Sequence, residues 1–453
     1  MTRVTVIGTG YLGAVHAAGM AELGHEVLGI DQDEERVTQL AAGQAPFFEP
    51  GLDALLARGI AAGRLRFGRS LAEAAAFGDV HFICVGTPQL PGSHRADLSG
   101  LHAVVDALAP LLTRPCVVAG KSTVPAGTAA GLATRLTALA PAGNAVRLAW
   151  NPEFLREGRA VADTLRPDRL VVGITSAEAD AALRELYAPL IAGGTPYICT
   201  DLATAELVKV AANAFLATKI SFINAIAEVC EAVGADVSAV AAAMGRDPRI
   251  GAAGMAPGLG FGGGCLPKDL RALQAHAQEL GIGGSLEFLR QVDEINLRQR
   301  TRVVALGREL AGGSLDGRRV GVLGAAFKPG SDDVRDSPAL AVAALMHSEG
   351  AAVRVHDPEA MDNARKLFPE LEYAADPADA CLRADLVMHL TEWPQYTRLD
   401  PAPLAAITRH AQLVDARNRL PLSQWQAAGW TIRSLGRKPS HAGPRSRNQP
   451  SQG

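Results

Sequence analysis

The sequence predicts an α/β protein in which two doubly wound, parallel-sheet domains flank a helical centre. A β-branched apolar run at Val4–Ile7 is followed by an alanine-rich helical pattern and a second strand at Glu26–Ile30. This is the βαβ unit that begins such a sheet. The same alternation of strand and helix resumes near Arg319. Between these two parts, residues 202–233 contain neither Gly nor Pro, and this favours one long helix.

The remaining elements follow from the same apolar patterns. Further strands are expected at Val80–Val85, Cys116–Gly120, Arg147–Trp150, Leu170–Gly173, Val320–Leu323, Val353–His356, Leu386–Leu390 and Leu413–Val414, with helices at Leu101–Leu112 and Ala339–Ser348. We therefore expect domains at residues 1–201, 202–310 and 311–435. Residues 436–453 carry four basic residues, no acid and no apolar periodicity, and the sequence predicts a disordered tail there.

Composition narrows the class of protein. A chain of 453 residues is too long for one ordinary core, and its net charge of -3 gives no bias toward nucleic acid or anionic membranes. The six cysteines form no C-x-x-C pair, which argues against a zinc site or a disulfide framework and favours a reducing cytoplasm. We expect no secretory leader, because Met1-Thr2-Arg3 runs directly into the first strand. The longest apolar contender for a membrane span, residues 203–217, is interrupted by Glu206, Lys209 and Asn213. A soluble, cytoplasmic protein without a metal is expected.

A cofactor motif lies at the end of the first strand. Gly8-x-Gly10-x-x-Gly13 opens the first helix, and Asp31 ends the second strand. The glycines permit a tight turn and close approach of a pyrophosphate, and the helix N-terminus offers unpaired N–H groups to the phosphates. Asp31 would accept hydrogen bonds from a ribose 2′-OH and repel a 2′-phosphate, so NAD is favoured over NADP. The alternative is a tight turn of any α/β protein. Arg36 is expected either at the adenosine end or as an ordinary solvated charge.

Two further loops follow predicted strand ends, where ligands bind in open α/β sheets. They are Val85-Gly86-Thr87-Pro88 and the segment from Lys121 through Thr123 to Thr128. Their hydroxyls and N–H groups are candidates to line a nicotinamide ring. Simple turn chemistry is the alternative for each.

Two pairs of polar residues have helical spacing. Asn151-Pro152 is a good helix start, which would put Glu153 and Glu157 one turn apart as a base and an orienting acceptor. The alternative is a solvated first turn whose acids favour the helix dipole. Lys209 and Asn213 lie at i and i+4 of the long helix. Because buried lysine is rare unless it is paired or functional, this pair is a candidate to hold a substrate oxygen.

The most informative segment is Phe261-Gly262-Gly263-Gly264-Cys265-Leu266-Pro267-Lys268-Asp269. A glycine-rich loop brings backbone N–H groups close to a ligand, and Pro267 suits the start of a helix. Cys265 would then lie at a helix N-terminus beside Lys268, and both favour the thiolate. Asp269 is a candidate to position or deprotonate water. A small buried apolar cysteine is the alternative.

These groups suit two successive oxidations. A base takes the proton of an alcohol while hydride leaves to NAD, which gives an aldehyde. An aldehyde has no further hydride to give until a nucleophile adds to it. A cysteine thiolate provides that nucleophile, and water then hydrolyses the resulting thioester.

Taken together, the stretches resemble the UDP-glucose/GDP-mannose dehydrogenase family, and in particular its UDP-glucose 6-dehydrogenases. The matching segments occur in family order from residue 1 to about 435. They are Gly8–Gly13, Val85–Pro88, Ser122–Thr128, Asn151–Gly158, Lys209–Asn224, Arg249–Asp269, Phe327–Pro338, Thr391–Trp393 and Asp415–Asn418.

The resemblance implies roles for these residues. Cys265 would be the nucleophile, Asp269 and Thr123 would activate water, Lys209 and Asn213 would stabilise the oxyanion, and Glu153 would act as acid and base. It also implies two Rossmann-like domains joined by a helical dimerisation domain, with Arg249 entering the partner subunit's site. Expected NAD contacts are Gly8, Gly10, Tyr11, Leu12, Gly13, Asp31, Arg36, Thr87, Thr123, Glu157, Cys265, Lys268 and Arg335. Expected substrate contacts are Glu153, Phe154, Leu155, Arg156, Lys209, Asn213, Arg249, Phe261, Gly262, Gly263, Phe327, Lys328 and Arg417.

The expected reaction is the four-electron oxidation of UDP-glucose to UDP-glucuronate by a homodimer, with no nucleic-acid or membrane partner. The alternative is the same chemistry on GDP-mannose or a UDP-N-acetylhexosamine, because Gly254-Met255 replace a bulkier residue common in the family. A two-electron alcohol dehydrogenase would not need Cys265. A non-catalytic NAD sensor would not need the full polar set, and a zinc-dependent dehydrogenase would need clustered ligands.

Overall fold

The computed structural model describes residues 1–438. Within them the chain forms two compact units, which we describe separately. Unit 1 contains residues 1–215 and 268–287, and unit 2 contains residues 216–267 and those from 288 onward.

Unit 1 is built on an eight-stranded sheet with the order β3-β2-β1-β4-β5-β6-β7-β8. The strands are β1 Arg3–Ile7, β2 Glu26–Ile30, β3 Leu65–Gly68, β4 Val80–Ile83, β5 Cys116–Gly120, β6 Val146–Trp150, β7 Leu170–Ile174 and β8 Tyr197–Thr200. The predicted parallel sheet is confirmed from β3 to β6, whereas β7 pairs antiparallel with β6. The edge strands β3 and β8 were not predicted. Their side chains are partly exposed, so neither has the continuous apolar run of a buried strand.

The helices of unit 1 pack on both faces of this sheet. They are α1 Tyr11–Glu22, α2 Glu34–Ala41, α3 Leu52–Ala61, α4 Leu71–Phe77, α5 Ser99–Leu108, α6 Thr128–Leu139, α7 Ala160–Leu165, α8 Ala177–Leu186 and α9 Ala188–Ala192. Two buried clusters, one on α1, α3 and α8 and the other on α5 and α6, form the core. Asp33, Ser70 and Ser176 begin α2, α4 and α8 by accepting a backbone N–H, as N-cap residues do.

The register of the strands gathers five loops at one edge of the sheet. Ile7 is aligned with Ile30 and Ile83, and the alignment continues through Gly120 to Trp150. The residues that follow these strand ends therefore share one edge. They are Gly8, Asp31, Cys84, Lys121 and Asn151.

Unit 2 contains a six-stranded parallel sheet with the order β11-β10-β9-β12-β13-β14. The strands are β9 Arg319–Leu323, β10 Ala352–His356, β11 Glu372–Tyr373, β12 Leu386–His389, β13 Gln412–Asp415 and β14 Thr431–Ser434. Its later helices are α14 Pro338–Ser348, α15 Met361–Leu367, α16 Pro377–Cys381, α17 Pro394–Thr397, α18 Pro401–Ile407 and α19 Leu422–Ala427. The second doubly wound domain is thus confirmed, and only β11 and β14 were missed.

Four helices form the central part of the chain: α10 Leu202–Val233, α11 Val237–Met244, α12 Leu266–Glu279 and α13 Phe288–Leu310. The predicted long helix is confirmed by α10. By length and composition alone, α10 is apolar enough to cross a membrane, so the expectation that no segment would qualify was wrong. Its 18-residue apolar window is 44% buried inside the protein, and core helices of soluble proteins meet the same criterion. The interruptions at Glu206, Lys209 and Asn213 lie in its N-terminal half.

The two sheets carry a buried aspartate at the same topological position, and the two aspartates have different partners. Asp31 follows β2 and accepts the N–H of Thr9. Asp357 follows β10 and accepts the N–H groups of Ala325 and Ala326 together with the Trp393 indole N–H. Asp357 is buried and its oxygens are used by protein donors, so it holds the loop after β9 rather than offering acceptors to a ribose.

The prediction of a disordered tail from residue 436 was wrong for its first three residues, 436–438. The Gly436 N–H donates to Glu231, the Gly436 carbonyl accepts the N–H of Val237, and the Arg437 side chain bonds Asp236 and Ser238. Residues 436–438 are therefore held on unit 2. The rest of the predicted tail lies outside the described residues.

Candidate active site

The predicted dinucleotide loop has the geometry of a phosphate-binding turn. Gly8 has φ +88° and its carbonyl faces Gly13, where an added Cβ would lie 1.8 Å from that oxygen. A Cβ on Gly10, by contrast, would meet no atom within 4 Å. Gly8 and Gly13 are thus required by the turn and by helix packing, whereas Gly10 leaves open the space in front of the α1 N-terminus. This fits a dinucleotide pyrophosphate.

Asp31 stands beside this loop and is already ionised by its neighbours. Its Oδ2 accepts the Thr9 N–H at 2.7 Å, its Oδ1 accepts the Asp33 N–H at 3.1 Å, and Arg36 lies 3.1 Å from both oxygens. Burial raises the pKa of Asp31, but these hydrogen bonds and the Arg36 charge lower it below its ordinary value. Arg36 is therefore an ion-pair partner of Asp31 rather than a solvated charge.

A residue that the sequence analysis missed, Glu49, ties the cofactor loop to the segment after β6. Its Oε1 accepts the Ala160 N–H at 2.7 Å, and its Oε2 accepts the Gly158 N–H at 2.7 Å and the Tyr11 hydroxyl. Burial and the Glu49 carboxylate raise the pKa of Tyr11. Glu49 is separated from Gly158 by 109 residues, and no local spacing signals this contact.

Glu49→Ala is expected to reduce the free energy of unfolding by about 2–5 kcal/mol, because the buried N–H groups of Gly158 and Ala160 would lose their acceptor. Urea denaturation measures the change. Glu34→Ala, which removes an exposed carboxylate of α2, is the matched control and should leave the midpoint unchanged. An unchanged midpoint for Glu49→Ala would contradict the assigned role.

The two loops predicted to line the nicotinamide are joined to each other. The Thr87 hydroxyl donates to the Thr123 carbonyl at 2.7 Å, and Ser122 donates to the Val85 carbonyl at 2.6 Å. Glu206 of α10 accepts the N–H groups that begin α6, those of Gly127 and Ala129, and burial raises its pKa. The hydroxyl of Thr87 is thus used within the protein, and the Thr123 loop is fixed from two sides.

The segment that carries Glu153 is not the predicted helix. Residues 151–156 have no regular secondary structure, and the next helix begins at Ala160. The Asn151 side chain accepts from Lys121 and Tyr187 and donates to the Val171 carbonyl, so it cannot cap a helix. Glu153 and Glu157 are therefore not one turn apart on a helical face.

The two polar residues predicted to share a face of α10 each have a carboxylate partner in unit 1. Lys209 and Asn213 are both buried, at 4% and 8% exposure. The Lys209 Nζ donates to Glu153 Oε1 at 2.9 Å, and the Asn213 amide donates to Asp269 Oδ2 at 2.7 Å. Lys268 donates to the other oxygen of Asp269 at 2.6 Å. One face of a helix thus presents a cation and an amide, each paired with a carboxylate.

Near Glu153, the other predicted residues pack in different ways. The Phe154 ring lies 3.8 Å from the Arg169 guanidinium carbon. The Leu155 N–H donates to Glu153 Oε2 at 2.5 Å. The Arg156 guanidinium is held by Asp163, a partner that the sequence analysis did not identify. The carboxylate of Glu153 is therefore oriented by its own loop as well as by Lys209.

Cys265 is exposed and directly precedes α12, as predicted. The glycines before it serve packing within unit 2. A Cβ on Gly262 would lie 2.3 Å from the Asp336 carbonyl oxygen, one on Gly263 would meet the Phe327 ring, and one on Gly264 would lie 2.4 Å from the Arg335 guanidinium carbon. These three glycines therefore allow the loop to pack closely against Asp336, Phe327 and Arg335. The Arg335 guanidinium, which pairs with Asp333, therefore lies beside the residue that precedes Cys265.

The remaining predicted residues of unit 2 are distributed around this loop. Phe261 is held by Asn296 through both backbone groups. Arg417 is 9% exposed in its side chain and donates to the carbonyls of Leu390, Gly260 and Phe327. Arg417 thus fixes the two loops on which Phe261 and Phe327 stand.

Arg249 differs from these residues, because its side chain is 87% exposed and pairs with Asp247. The loop that follows it is anchored by Lys219, which donates to the carbonyls of Ile250, Gly251 and Ala253. Met255 is 4% exposed and belongs to a buried cluster on α10 and α11. Met255 is therefore part of the core of unit 2.

The class of protein follows from two groups of features. One is the phosphate-binding turn with an acid after β2, and the other is the buried lysine and asparagine with their two carboxylates. The protein is an oxidoreductase that binds a nicotinamide dinucleotide in a doubly wound domain.

Comparison with known proteins identifies the family. The models for the UDP-glucose/GDP-mannose dehydrogenase family match the NAD binding domain at residues 2–191, the central domain at 203–298 and the UDP binding domain at 321–421. The chain is 42% identical to UDP-glucose 6-dehydrogenase of Rhizobium meliloti, covering 96% of this chain and 99% of that protein. The chain belongs to the UDP-glucose/GDP-mannose dehydrogenase family, and it is an NAD-dependent oxidoreductase.

Solved structures agree with this assignment. The UDP-glucose dehydrogenase of Pyrobaculum islandicum has a TM-score of 0.89 and 39% identity, covering 96% of this chain and 98% of that one. The UDP-D-ManNAc dehydrogenase of Pyrococcus horikoshii has a TM-score of 0.83 and 27% identity, covering 96% and 99%.

Proposed function

We propose that this protein oxidises the C6 alcohol of UDP-glucose to the carboxylate of UDP-glucuronate in two NAD-dependent steps. The observation that carries the proposal is the buried face of α10, where Lys209 pairs with Glu153 and Asn213 with Asp269. Two relatives that are 42% and 39% identical to this chain are UDP-glucose 6-dehydrogenases. NAD, when bound, accepts one hydride in each oxidation.

The first oxidation removes a proton and a hydride from the alcohol and gives an aldehyde. Glu153 accepts and returns protons at the reacting oxygen, while Lys209 and Asn213 donate to it as it gains negative charge. Both donors are buried and fixed before the reaction, so their electrostatic stabilisation costs little reorganisation.

The second oxidation needs a covalent step. The Cys265 thiolate adds to the aldehyde carbon to form a thiohemiacetal, which loses a hydride and becomes a thioester. A water molecule activated by Asp269 and Thr123 attacks the thioester, the C–S bond breaks, and the carboxylate leaves with the thiolate restored. The oxygen of water supplies the second carboxylate oxygen, so atoms and electrons balance.

The proposed binding residues are those that the family resemblance implies. We assign the cofactor to the Gly8–Gly13 turn, Asp31, the Thr87 and Thr123 loops, Glu157, Lys268 and Arg335. We assign the nucleotide sugar to the segment Glu153–Arg156, the loop Phe261–Gly263, and Phe327, Lys328 and Arg417. The proposed domains are residues 1–201, 202–310 and 311–435, and the proposed location is the cytoplasm.

A count of NADH tests the reaction. With excess NAD and limiting UDP-glucose, we expect two NADH per sugar. One NADH per sugar would contradict the four-electron reaction and the role of Cys265. No NADH with UDP-glucose, but two with GDP-mannose or a UDP-N-acetylhexosamine, would keep the chemistry and change the substrate. The similarity to a UDP-D-ManNAc dehydrogenase structure supports including those sugars.

The preference for NAD rests on Asp31. Asp31→Asn keeps one acceptor for the Thr9 N–H but removes the charge that would accept a ribose hydroxyl and repel a 2′-phosphate. We expect kcat/KM for NAD to fall about 10-fold, the equivalent of ~1.4 kcal/mol, and the NAD to NADP ratio to fall further. Initial rates with both cofactors measure this. An unchanged ratio would show that the specificity lies elsewhere.

We propose a homodimer formed through α10. Phe215, Phe222 and Val229 follow each other at intervals of seven residues, with Val233 one turn beyond, and all four are between 47% and 71% exposed. An apolar stripe that repeats every seven residues suits packing against a second helix. We propose that a second copy of the chain covers this stripe and that Arg249 reaches the partner's site.

Phe222→Glu is expected to convert the dimer to a monomer, because it places a charge in the apolar stripe. Sedimentation equilibrium measures the mass. Leu367→Glu changes another exposed apolar residue, on α15, and should leave the mass unchanged. A dimeric Phe222→Glu would place the interface elsewhere.

A further inference from the structure

Lys121 is a buried cation in unit 1 that no role above uses. It follows β5, is 7% exposed, and donates through Nζ to Asn151 Oδ1 at 2.9 Å. Within residues 1–438, Lys121 forms no ion pair with a carboxylate, whereas the buried Lys209 pairs with Glu153. Its hydrogen-bond acceptor is therefore a neutral amide, although buried lysines are usually paired with an acid.

Holding Asn151 does not explain this lysine. The Tyr187 hydroxyl donates to the same Asn151 oxygen at 2.6 Å, and the Asn151 amide donates to the Val171 carbonyl at 2.8 Å. Asn151 would therefore remain hydrogen-bonded on both sides if Lys121 were absent. A structural role would be served by an uncharged residue at a lower desolvation cost.

The groups that face Lys121 leave one negative charge near it. His16 on α1 is buried, and burial lowers its pKa well below the ordinary value, so it is neutral. Burial raises the pKa of Cys84 to about 12 and that of Tyr187 well above its ordinary value, so both are neutral too. The charged neighbours that act on Lys121 are Glu153, which favours its ammonium form, and Lys209, which opposes it.

A cavity connects the lysine to this acid. Lys121, Asn151 and Glu153 line one space of about 50 Å³ in unit 1, and one water molecule needs roughly 10–15 Å³. Asp163, Asp168 and Arg169 line the same cavity. Asp163 is paired with Arg156, and Arg169 stacks on Phe154. Lys209 is thus the ion-pair partner of Glu153, and Lys121 lines the same cavity as that carboxylate.

We propose that Lys121 is a positioning residue for the oxidation, whose ammonium charge attracts the Glu153 carboxylate through the shared cavity and fixes where that carboxylate lies. This inference rests on the proposed function, because Glu153 is the proton-transfer group of that reaction. The reaction depends on the ammonium charge of Lys121 and not on its hydrogen bond to Asn151.

The proposal gives the activity a dependence on pH. Burial lowers the pKa of Lys121 from 10.5 to about 8, so the ammonium is present below this pH and lost above it. Turnover by the wild type should therefore show an alkaline decline with a midpoint near this pKa. The free energy of unfolding should change in the opposite direction to the activity. Between pH ~8 and ~10.5 the unfolded chain binds more protons than the folded chain, so the protein becomes more stable as the pH rises.

Three variants separate charge from hydrogen bonding. Lys121→Gln keeps a donor toward Asn151 without the charge, Lys121→Met removes both, and Lys366→Gln changes an exposed lysine of α15 as a matched control. We expect kcat to fall about 10-fold in Lys121→Gln and by a similar factor in Lys121→Met. The KM for UDP-glucose should change less in both variants. Neither should show the alkaline decline near pH 8. Lys366→Gln should match the wild type.

Thermal unfolding is measured alongside. Lys121→Gln should have a Tm at pH 7 no lower than that of the wild type, and the difference between the two proteins should change from pH 8 to 10. Activity lost only in Lys121→Met, or in proportion to a lowered Tm, would overturn the proposal in favour of a structural role. Wild-type rates and pH profile in Lys121→Gln would also overturn it. A wild type that oxidises no nucleotide sugar would overturn the proposed function itself, and this outcome is seen before any variant is compared.

Discussion

Cys265→Ser is expected to lower steady-state turnover of UDP-glucose by at least about 10³-fold, because loss of a catalytic nucleophile removes a step that the other groups cannot replace. A serine hydroxyl at this position has no comparable tendency to ionise at neutral pH. Rapid-quench analysis with NADH detection measures the result. The variant should release no more than one NADH per active site quickly and should not accumulate UDP-glucuronate.

Cys199 offers the matched control for this thiol, since it too is exposed. Burial and the Asp180 carboxylate raise the pKa of Cys199, whereas Cys265 precedes the N-terminus of α12 and lies next to the glycine that packs on Arg335. We expect Cys199→Ser to retain full activity, and iodoacetamide at pH 7 to label Cys265 faster than Cys199. Two NADH per sugar at the wild-type rate in Cys265→Ser would refute the covalent mechanism.

Lys209→Met is expected to reduce kcat by about 10²–10³-fold, the usual effect of removing one preorganised donor to a developing oxyanion. The change also leaves Glu153 buried without its cation. The Lys209 and Glu153 side chains are 5% and 13% exposed, so breaking the pair should reduce the free energy of unfolding by about 3 kcal/mol. Initial rates and urea denaturation measure the two effects.

The double variant Lys209→Met with Glu153→Leu separates catalysis from stability. Replacing a buried ion pair by apolar residues is often neutral or stabilising, so the double variant should recover most of the lost stability. Its kcat should remain as low as that of Lys209→Met or fall further. Recovery of kcat together with stability would mean that Lys209 serves folding alone.

Much of the fold could be predicted because it depends on short-range patterns. The strands Glu26–Ile30 and Cys116–Gly120 were placed with their observed bounds, since each is a buried apolar run that ends at a turn residue. The same reasoning placed Gly8 and Asp31 at neighbouring strand ends. Edge strands such as Leu65–Gly68 were missed, because their exposed side chains remove the apolar pattern.

The candidate site also contains features that local spacing predicted and features that distant contacts determined. Lys209 and Asn213 were predicted to share a face because helix geometry alone brings i and i+4 together. The helix expected from Asn151 was wrong, because the Asn151 side chain is engaged by Lys121, Tyr187 and Val171 from other parts of the sheet. A capping preference reflects only the residues near the helix start. Here three partners distant in sequence hold the Asn151 side chain, so it does not cap a helix.

What the sequence by itself determined about this protein is its class: two doubly wound domains, a long helix, a dinucleotide turn with its acid, and the residue types of the reaction. Only the tertiary structure decided which of those residues meet. Glu49 binds Gly158, Arg156 binds Asp163, and Lys121 lines a cavity with Glu153. The physical reason is that helix and strand periods fix neighbours within a few residues, whereas hydrogen bonds and buried charges between distant segments depend on how complete elements pack.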